Sequence, residues 1–418
     1  DNMHQLLGAD ITGDECDLAF LADNIRSGPG ASRLADSKTW YAKFWESDWS
    51  YTSPQVLALF RAAISSSDTW ISASLHWARR FRAVMVTGNS LFTVPKNAEI
   101  SRTCCTEPLL NMVFQQAVGA FIEMRLVTRW GLNLSTQPDL NRRLTRLGSL
   151  SGLFGTIDLS SASDSIALSL VQWSVPVHVL RWINLFRSKV TRLPSGHEVE
   201  LRMVSTMGNG YTFPLETAIF ASAVRAVYQS KGIPLKLVGP EQNWAVFGDD
   251  LVVRKDCYDA VIRLLNRLGF KVNEGKSFNS GPFRESCGFD YWYGSNVRPV
   301  YIETLETPQD VYSCFNRLSR WSAENEVPLG RTLCYLWKLA PKSFLVPFSE
   351  GDDAGFKVPG GVAPYRLSSR HWRVYKKLTA ESTALPVPDG MADAKALGYA
   401  DFNPSGWELA YLGLYART

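Results

Sequence analysis

Apolar residues recur at helical spacing from Met112 to Leu126, and again at positions 215, 218, 219, 223, 226 and 227, with a small Ser at 222. Both runs predict helices with one apolar stripe. Phe154-Gly-Thr-Ile reads as a short strand that ends in Asp158, and Ser163 to Val171 reads as a helix start with Ser and Asp near its amino end. Trp244 to Val253 is apolar on both sides of Gly248-Asp249-Asp250, the signature of a β-hairpin with its turn at the acids. Tyr258 to Leu268 reads as an amphipathic helix stopped by Gly269, with Phe270-Lys-Val as the next strand. The order β–α, helix, β-hairpin, α, β suits an α+β fold, an antiparallel sheet with helices on one face. Beyond residue 300 the chain reads as mainly helical to about 340. A Gly/Pro-rich loop follows from Pro347 to Pro364, and the tail after Pro386 reads as loop with one short helix near Trp407.

Composition adds bounds. With 418 residues the chain exceeds one simple core and implies two or three domains or subdomains. Hydrophobic residues make up 45% and charged residues 20%, as in ordinary globular proteins. The 14 Trp, 15 Tyr and 21 Phe either fill a core or offer faces for stacked bases; core filling is the expectation for most. Net charge is only +4, but His76 to Arg146 holds ten Lys/Arg against four Asp/Glu, which leaves the rest slightly acidic. Such a segment suits a polyanion-binding cleft or a solvated basic face. Seven Cys without a CxxC pair read as reduced thiols of a cytoplasmic protein. The five His show no metal-ligand spacing, and no apolar run is long enough to span a membrane.

The chemistry centres on acids. Asp158 ends one strand and Asp249 sits at a hairpin tip, so each carboxylate stands on rigid backbone. If the strands are neighbours, the acids meet at one sheet edge, and such pairs hold two magnesium ions about 3.5–4 Å apart. Gly-Asp-Asp is also a good turn sequence in its own right. A second copy, Gly351-Asp352-Asp353, lacks a hydrophobic strand directly after it and reads as a solvated loop.

Asp158-Leu-Ser-Ser-Ala-Ser-Asp164-Ser resembles motif A of the replicases of single-stranded RNA bacteriophages, the levivirus group. Ser205-Thr-Met-Gly-Asn-Gly-Tyr-Thr-Phe resembles their motif B, Phe247-Gly-Asp-Asp their motif C and Lys276-Ser-Phe their motif D. Phe283-Arg-Glu-Ser-Cys-Gly288 resembles the segment that follows, and Val94-Pro-Lys-Asn97 with Arg102 the nucleotide-entry region. These matches run in order over residues 92–302.

The resemblance implies a right-hand polymerase: fingers over 1–150 and incomplete at the amino end, palm over 151–300 with a fingers insertion near 172–203, and a mainly helical thumb with the C-terminal region over 301–418. It implies RNA-directed RNA synthesis from ribonucleoside triphosphates, copying a phage genome in the cytoplasm of an infected bacterium. Asp158, Asp249 and Asp250 would hold two Mg2+, with Mn2+ as a substitute. Lys276 would be a general acid toward pyrophosphate. Lys96 and Arg102 would contact triphosphate oxygens. Asp164 would accept a hydrogen bond from the ribose 2′-hydroxyl, although an acid there also suits a helix dipole. Ser205, Gly208 and Asn209 would line the nucleotide, with glycine allowing close backbone approach. Arg284 and Glu285 would pair with each other. Partners would be template and product RNA, with host elongation factors Tu and Ts by resemblance alone. Two alternatives stay open: a reverse transcriptase-like enzyme, and a non-catalytic RNA-binding remnant.

Overall fold

The computed structural model describes residues 1–8, 16–35, 39–96, 100–237, 241–302, 304–359, 362, 366–367, 373–374 and 376–378. Asn97, residues 360, 361, 363 and 364 of the loop to Pro364 and the tail beyond Pro386 therefore lie outside the described residues, while Phe356–Val358 within that expected loop is a strand paired with Leu345–Pro347. Two compact units separate, Asp1–Ser295 and Asn296–Val387.

The first unit is organised around a three-stranded antiparallel sheet. Strand Asp250–Arg254 lies in the middle, flanked by Phe154–Ile157 and Trp244–Phe247. Strand residues alternate between faces. Trp244, Val246, Leu251, Val253 and Ile157 point into the main core, with the helices Thr212–Ser230 and Lys255–Arg267. Burying each such aliphatic side chain contributes roughly 1.5–3 kcal/mol.

Ala245 and Val252 point the other way, onto Leu144 of the helix Gln137–Ser151 and Phe154. Helices thus cover both faces, which corrects the expectation of one helical face. The cause is the unusual composition of Gln137–Ser151: its buried positions include Gln137, Asn141, Thr145, Gly148 and Ser149. A stripe that is small and polar does not register as an apolar period. It is satisfied instead by hydrogen bonds, such as Asn141 Nδ2 to the Asp250 carbonyl at 3.0 Å and Ser149 Oγ to the Pro282 carbonyl at 2.6 Å.

A second sheet has the order Ser101–Thr106, Asn89–Pro95, Val190–Arg192, Glu198–Glu200. The helix Leu109–Trp130 packs in the main core against the helices Thr212–Ser230 and Val177–Phe186 and is ended by Gly131 at φ +69°. Tryptophans fill the core at the amino end. Trp49 and Trp77 stack at 3.8 Å between centroids, and Trp45 meets Trp70 at 5.1 Å. The basic segment does not form one face: Arg125 is buried, with Nε donating to the Leu6 carbonyl at 2.9 Å, and Arg146 Nε donates to the Gly294 carbonyl at 3.0 Å.

In the second unit the helix Pro308–Asn325 begins with a Thr307–Asp310 capping box and packs with Gly330–Leu339. Here the second Gly-Asp-Asp is a loop, as expected, with Gly351 and Asp353 exposed and only Asp352 half-buried. Asp352 is held by Lys357 at 2.7 Å and Arg320 at 2.9 Å. Against the upward push of burial, these cations keep its carboxyl below the usual range. Arg320 comes from a neighbouring helix, so local sequence gave no sign of it.

Gly119, within Leu109–Trp130, allows the helix to touch the loop that follows Ser205. A Cβ there would lie 2.8 Å from the Gly210 carbonyl oxygen. In an open helix Gly→Ala gains up to about 1 kcal/mol. Here the backbone clash outweighs it, and Gly119→Ala is expected to lower stability by about 1–3 kcal/mol. Urea denaturation checks the sign; a higher midpoint would refute the close approach.

Candidate active site

The antiparallel register sets the first contact. Leu251 is paired with Ile157, so Asp250 and Asp158 stand opposite each other one step further along. Asp249 occupies the adjoining turn between Phe247 and Asp250, the next register pair. Gly248 opens that turn at φ +56°, and a Cβ there would lie 2.5 Å from the Phe213 ring. Glycine is therefore required on both conformational and steric grounds. The Gly248 N–H donates to Thr217 Oγ1 at 3.0 Å, which anchors the turn to Thr212–Ser230.

Three half-buried carboxyls thus crowd one sheet end. Burial raises the pKa of each. It is reinforced by Asp249 at Asp158, by Asp250 at Asp249 and by Asp158 at Asp250. Each acid is also held by donors. Asn273 Nδ2 donates to Asp158 Oδ2 at 2.7 Å, and Ser286 Oγ donates to Asp250 Oδ1 at 3.2 Å. The charges of Arg102 and Lys276 both stabilise the ionised form of Asp249. Among the described residues, no three His, Cys, Asp or Glu side chains are drawn together tightly enough to hold a metal ion.

Lys276 lies in the 3-10 turn Glu274–Lys276, with Nζ 3.4 Å from Glu285 Oε1. The expected Arg284–Glu285 pair is not formed. Consecutive strand residues face opposite ways. Arg284 turns inward, donating Nε to the Phe154 carbonyl at 2.7 Å and Nη1 to the Gly281 carbonyl at 2.9 Å.

The expected single helix from Ser163 to Val171 is instead a 3-10 turn, Ser163–Ser165, and a separate helix, Leu168–Ser174. Ile166 breaks it with ψ at 92°. Asp164 therefore lies in a three-residue turn, and the helix-dipole explanation for it loses its basis. Burial raises its pKa, opposed by the Thr103 hydroxyl and the Met207 N–H.

The Ser205–Tyr211 segment is a partly buried loop latched to the second sheet, with Gly208 exposed at its tip. The Cys105 N–H donates to the Met207 carbonyl at 2.8 Å. Gly208 has φ +116°, and a Cβ would lie 2.2 Å from the Cys105 carbonyl oxygen. Ser205 accepts from Thr212 Oγ1 at 2.8 Å, so its hydroxyl serves the loop itself. Asn209 is buried; its Oδ1 accepts the Tyr211 N–H at 3.0 Å, while Nδ2 has no partner among the described residues. An unused buried donor is costly unless something else takes it. Arg102 is exposed on the strand Ser101–Thr106, and Lys96 is exposed just past the end of its partner strand Asn89–Pro95.

Sequence reasoning missed the residues that brace these groups. Glu107 is fully buried and accepts from Asn89 Nδ2 at 2.8 Å, Gln115 Nε2 at 3.0 Å and Ser188 Oγ at 2.7 Å. Asn89 Nδ2 also reaches Thr206 Oγ1 at 3.1 Å, and Gln115 Oε1 accepts the Gly210 N–H at 3.3 Å. The partners span positions 89 to 210, so no local pattern reveals the network. Glu216 had a weak signal: a lone acid inside an apolar helical run.

The family model for the RNA replicase beta-chain matches residues 27–345. The RNA-directed RNA polymerase beta chain of Enterobacteria phage fr is 37% identical over 78% of this chain and 58% of its own length. That of Enterobacteria phage GA is 39% identical over 63% and 46% respectively. The beta subunit of Escherichia virus Qbeta is 37% identical over 64% and 45%. The chain thus spans about half the length of these relatives. The crystal structure of the RNA-dependent RNA polymerase of a human picorbirnavirus aligns over 61% of this chain and 56% of that one, with a TM-score of 0.42 and 14% identity.

The crowded carboxyls have a thermodynamic consequence. A raised folded-state pKa means that the folded chain binds more protons than the unfolded chain above the ordinary carboxylate range. Stability then falls as pH rises through that window towards the folded pKa. Without divalent cations, Asp249→Asn is expected to raise the melting temperature at pH 8. The gain should shrink as pH falls to the ordinary carboxylate range. A gain independent of pH would show that charge is not its cause.

Proposed function

This chain belongs to the RNA replicase beta-chain family, and from that premise we propose that it is the catalytic part of an RNA-directed RNA polymerase. The observation that carries the reading is the meeting of Asp158, Asp249 and Asp250 at one sheet end, with Asp164 on the turn that follows Asp158. In this reading residues 151–300 form the palm, with a fingers insertion near 172–203, residues 1–150 the fingers and 301–418 the thumb region.

The donors fit magnesium. All are carboxylate oxygens, and magnesium needs only one or two of them, completing its shell with water and phosphate. A loose arrangement of acids is therefore compatible with it, and the raised pKa values mark a place where added positive charge is favoured. Asp158, Asp249 and Asp250 would hold two Mg2+ or, in substitution, Mn2+. Bound there, the ions would activate the 3′-hydroxyl and neutralise the leaving pyrophosphate.

The chain's own residues do the rest. Arg102 and Lys96 receive the triphosphate, Arg as a planar fork and Lys as a point charge. Asp164 accepts the ribose 2′-hydroxyl, and the unused Asn209 Nδ2 is a donor for the nucleotide. Lys276 gives a proton to the leaving pyrophosphate after parting from Glu285. The acid at 164 favours ribonucleotides over the reverse transcriptase-like alternative, and retention of all three acids favours an enzyme over a binding remnant. Partners are template and product RNA, in the cytoplasm of an infected bacterium; elongation factors Tu and Ts enter through the family resemblance. Among the described residues no helix is long and apolar enough to cross a membrane.

Template-directed incorporation by the purified chain, with and without bacterial extract, tests the reading. Magnesium-dependent RNA synthesis is expected. Asp249→Asn should cost several kcal/mol of transition-state stabilisation, about a thousandfold in rate; unchanged incorporation would remove the metal assignment. Lys276→Met should lower kcat about a hundredfold and flatten the alkaline limb of the pH profile. An unaltered profile would assign the proton to another donor.

A further inference from the structure

Two consecutive residues of Thr212–Ser230 grip two different loops of the site. Thr217 Oγ1 accepts the Gly248 N–H and so holds the turn that carries Asp249. One residue earlier, Glu216 Oε2 accepts from Ser163 Oγ at 3.0 Å. Ser163 opens the turn that carries Asp164. Glu216 is only 2% exposed, and its second oxygen, Oε1, has no partner among the described residues. A buried carboxyl with one oxygen unsatisfied is destabilising, and an apolar residue would serve packing better. The arrangement therefore points to a task for the oxygen that is used.

That task follows from the turn. Ser163–Ser165 is three residues long and is cut off from the next helix at Ile166. It has no helix behind it to fix its position, so Asp164 depends on side-chain ties. We propose that Glu216 is a positioning residue for sugar selection: by holding the Ser163 hydroxyl it fixes the turn so that Asp164 meets the 2′-hydroxyl of the incoming nucleotide. The assignment rests on the polymerase reading above. It makes and breaks no covalent bond; Glu216 acts through Ser163 and touches no substrate. Burial, and then the charge of Asp249, push the Glu216 carboxyl up to about 8, in the direction of its neutral acid. Glutamine is thus its close mimic, keeping an oxygen for Ser163.

The test compares the purified 418-residue chain with Glu216→Gln, Glu216→Ala, Ser163→Ala and Thr217→Val. Two quantities are read: the ratio of kcat/KM for ATP over dATP on an RNA template, and the ratio of equilibrium affinities for the two nucleotides with magnesium, from thermal shifts. Glu216→Ala and Ser163→Ala are expected to lower both ratios about tenfold, the scale of one hydrogen bond. Glu216→Gln should stay close to wild type. Thr217→Val should slow incorporation of both sugars alike and leave the ratios intact. Folded Glu216→Ala or Ser163→Ala with the wild-type preference overturns the proposal, as does a wild type that binds both nucleotides equally. If Glu216→Ala does not fold, Ser163→Ala, which loses only a hydroxyl, decides. A wild type that makes no RNA sinks the polymerase reading, while the affinity ratios still decide the role of Glu216.

Discussion

The structure depends on keeping three like charges together. Antiparallel pairing sets Asp158 across from Asp250, and the tight turn adds Asp249 beside them. Left alone, such a group repels itself and resists ionisation. The fold opposes this through rigid backbone and neutral donors, Asn273 for Asp158 and Ser286 for Asp250. Neutral donors hold a carboxylate without cancelling its charge. The result is a preorganised negative site whose repulsion is relieved when positive charge arrives.

The surrounding elements serve that site through close backbone approaches. Gly119, Gly208 and Gly248 each sit where a side chain would collide with a neighbouring carbonyl or ring. The helix Thr212–Ser230 is buried along nearly its whole first half because it is wedged among these contacts. It touches both acid-bearing turns through adjacent side chains, so their spacing is fixed by a single rigid body.

Much of this was legible in the chain itself. The hairpin at Gly248-Asp249-Asp250 was visible because apolar strands and turn residues coincide there. The helix Leu109–Trp130 showed its period and the helix Lys255–Arg267 its glycine stop. What escaped notice depends on distance in sequence or on polar packing. The helix Gln137–Ser151 buries amides and hydroxyls, which hydropathy reads as surface. The break at Ile166 goes with the antiparallel backbone pairing of Ile166–Leu168 to Arg202–Val204, which overrides a locally helical pattern. The pairing of Asp352 with Arg320 joins residues that no local window contains.

The buried Glu107 network bears on how the molecule is made. Its donors come from Asn89, Gln115 and Ser188, and Thr206 joins through Asn89. A charge-bearing group sealed from water without these partners would be strongly unfavourable. Burial of Glu107 must therefore wait until Ser188, 81 positions further along the chain, has left the ribosome. The amino-terminal sheet stays open during that interval, and its closure and the shaping of the Ser205–Tyr211 loop become one late, cooperative event.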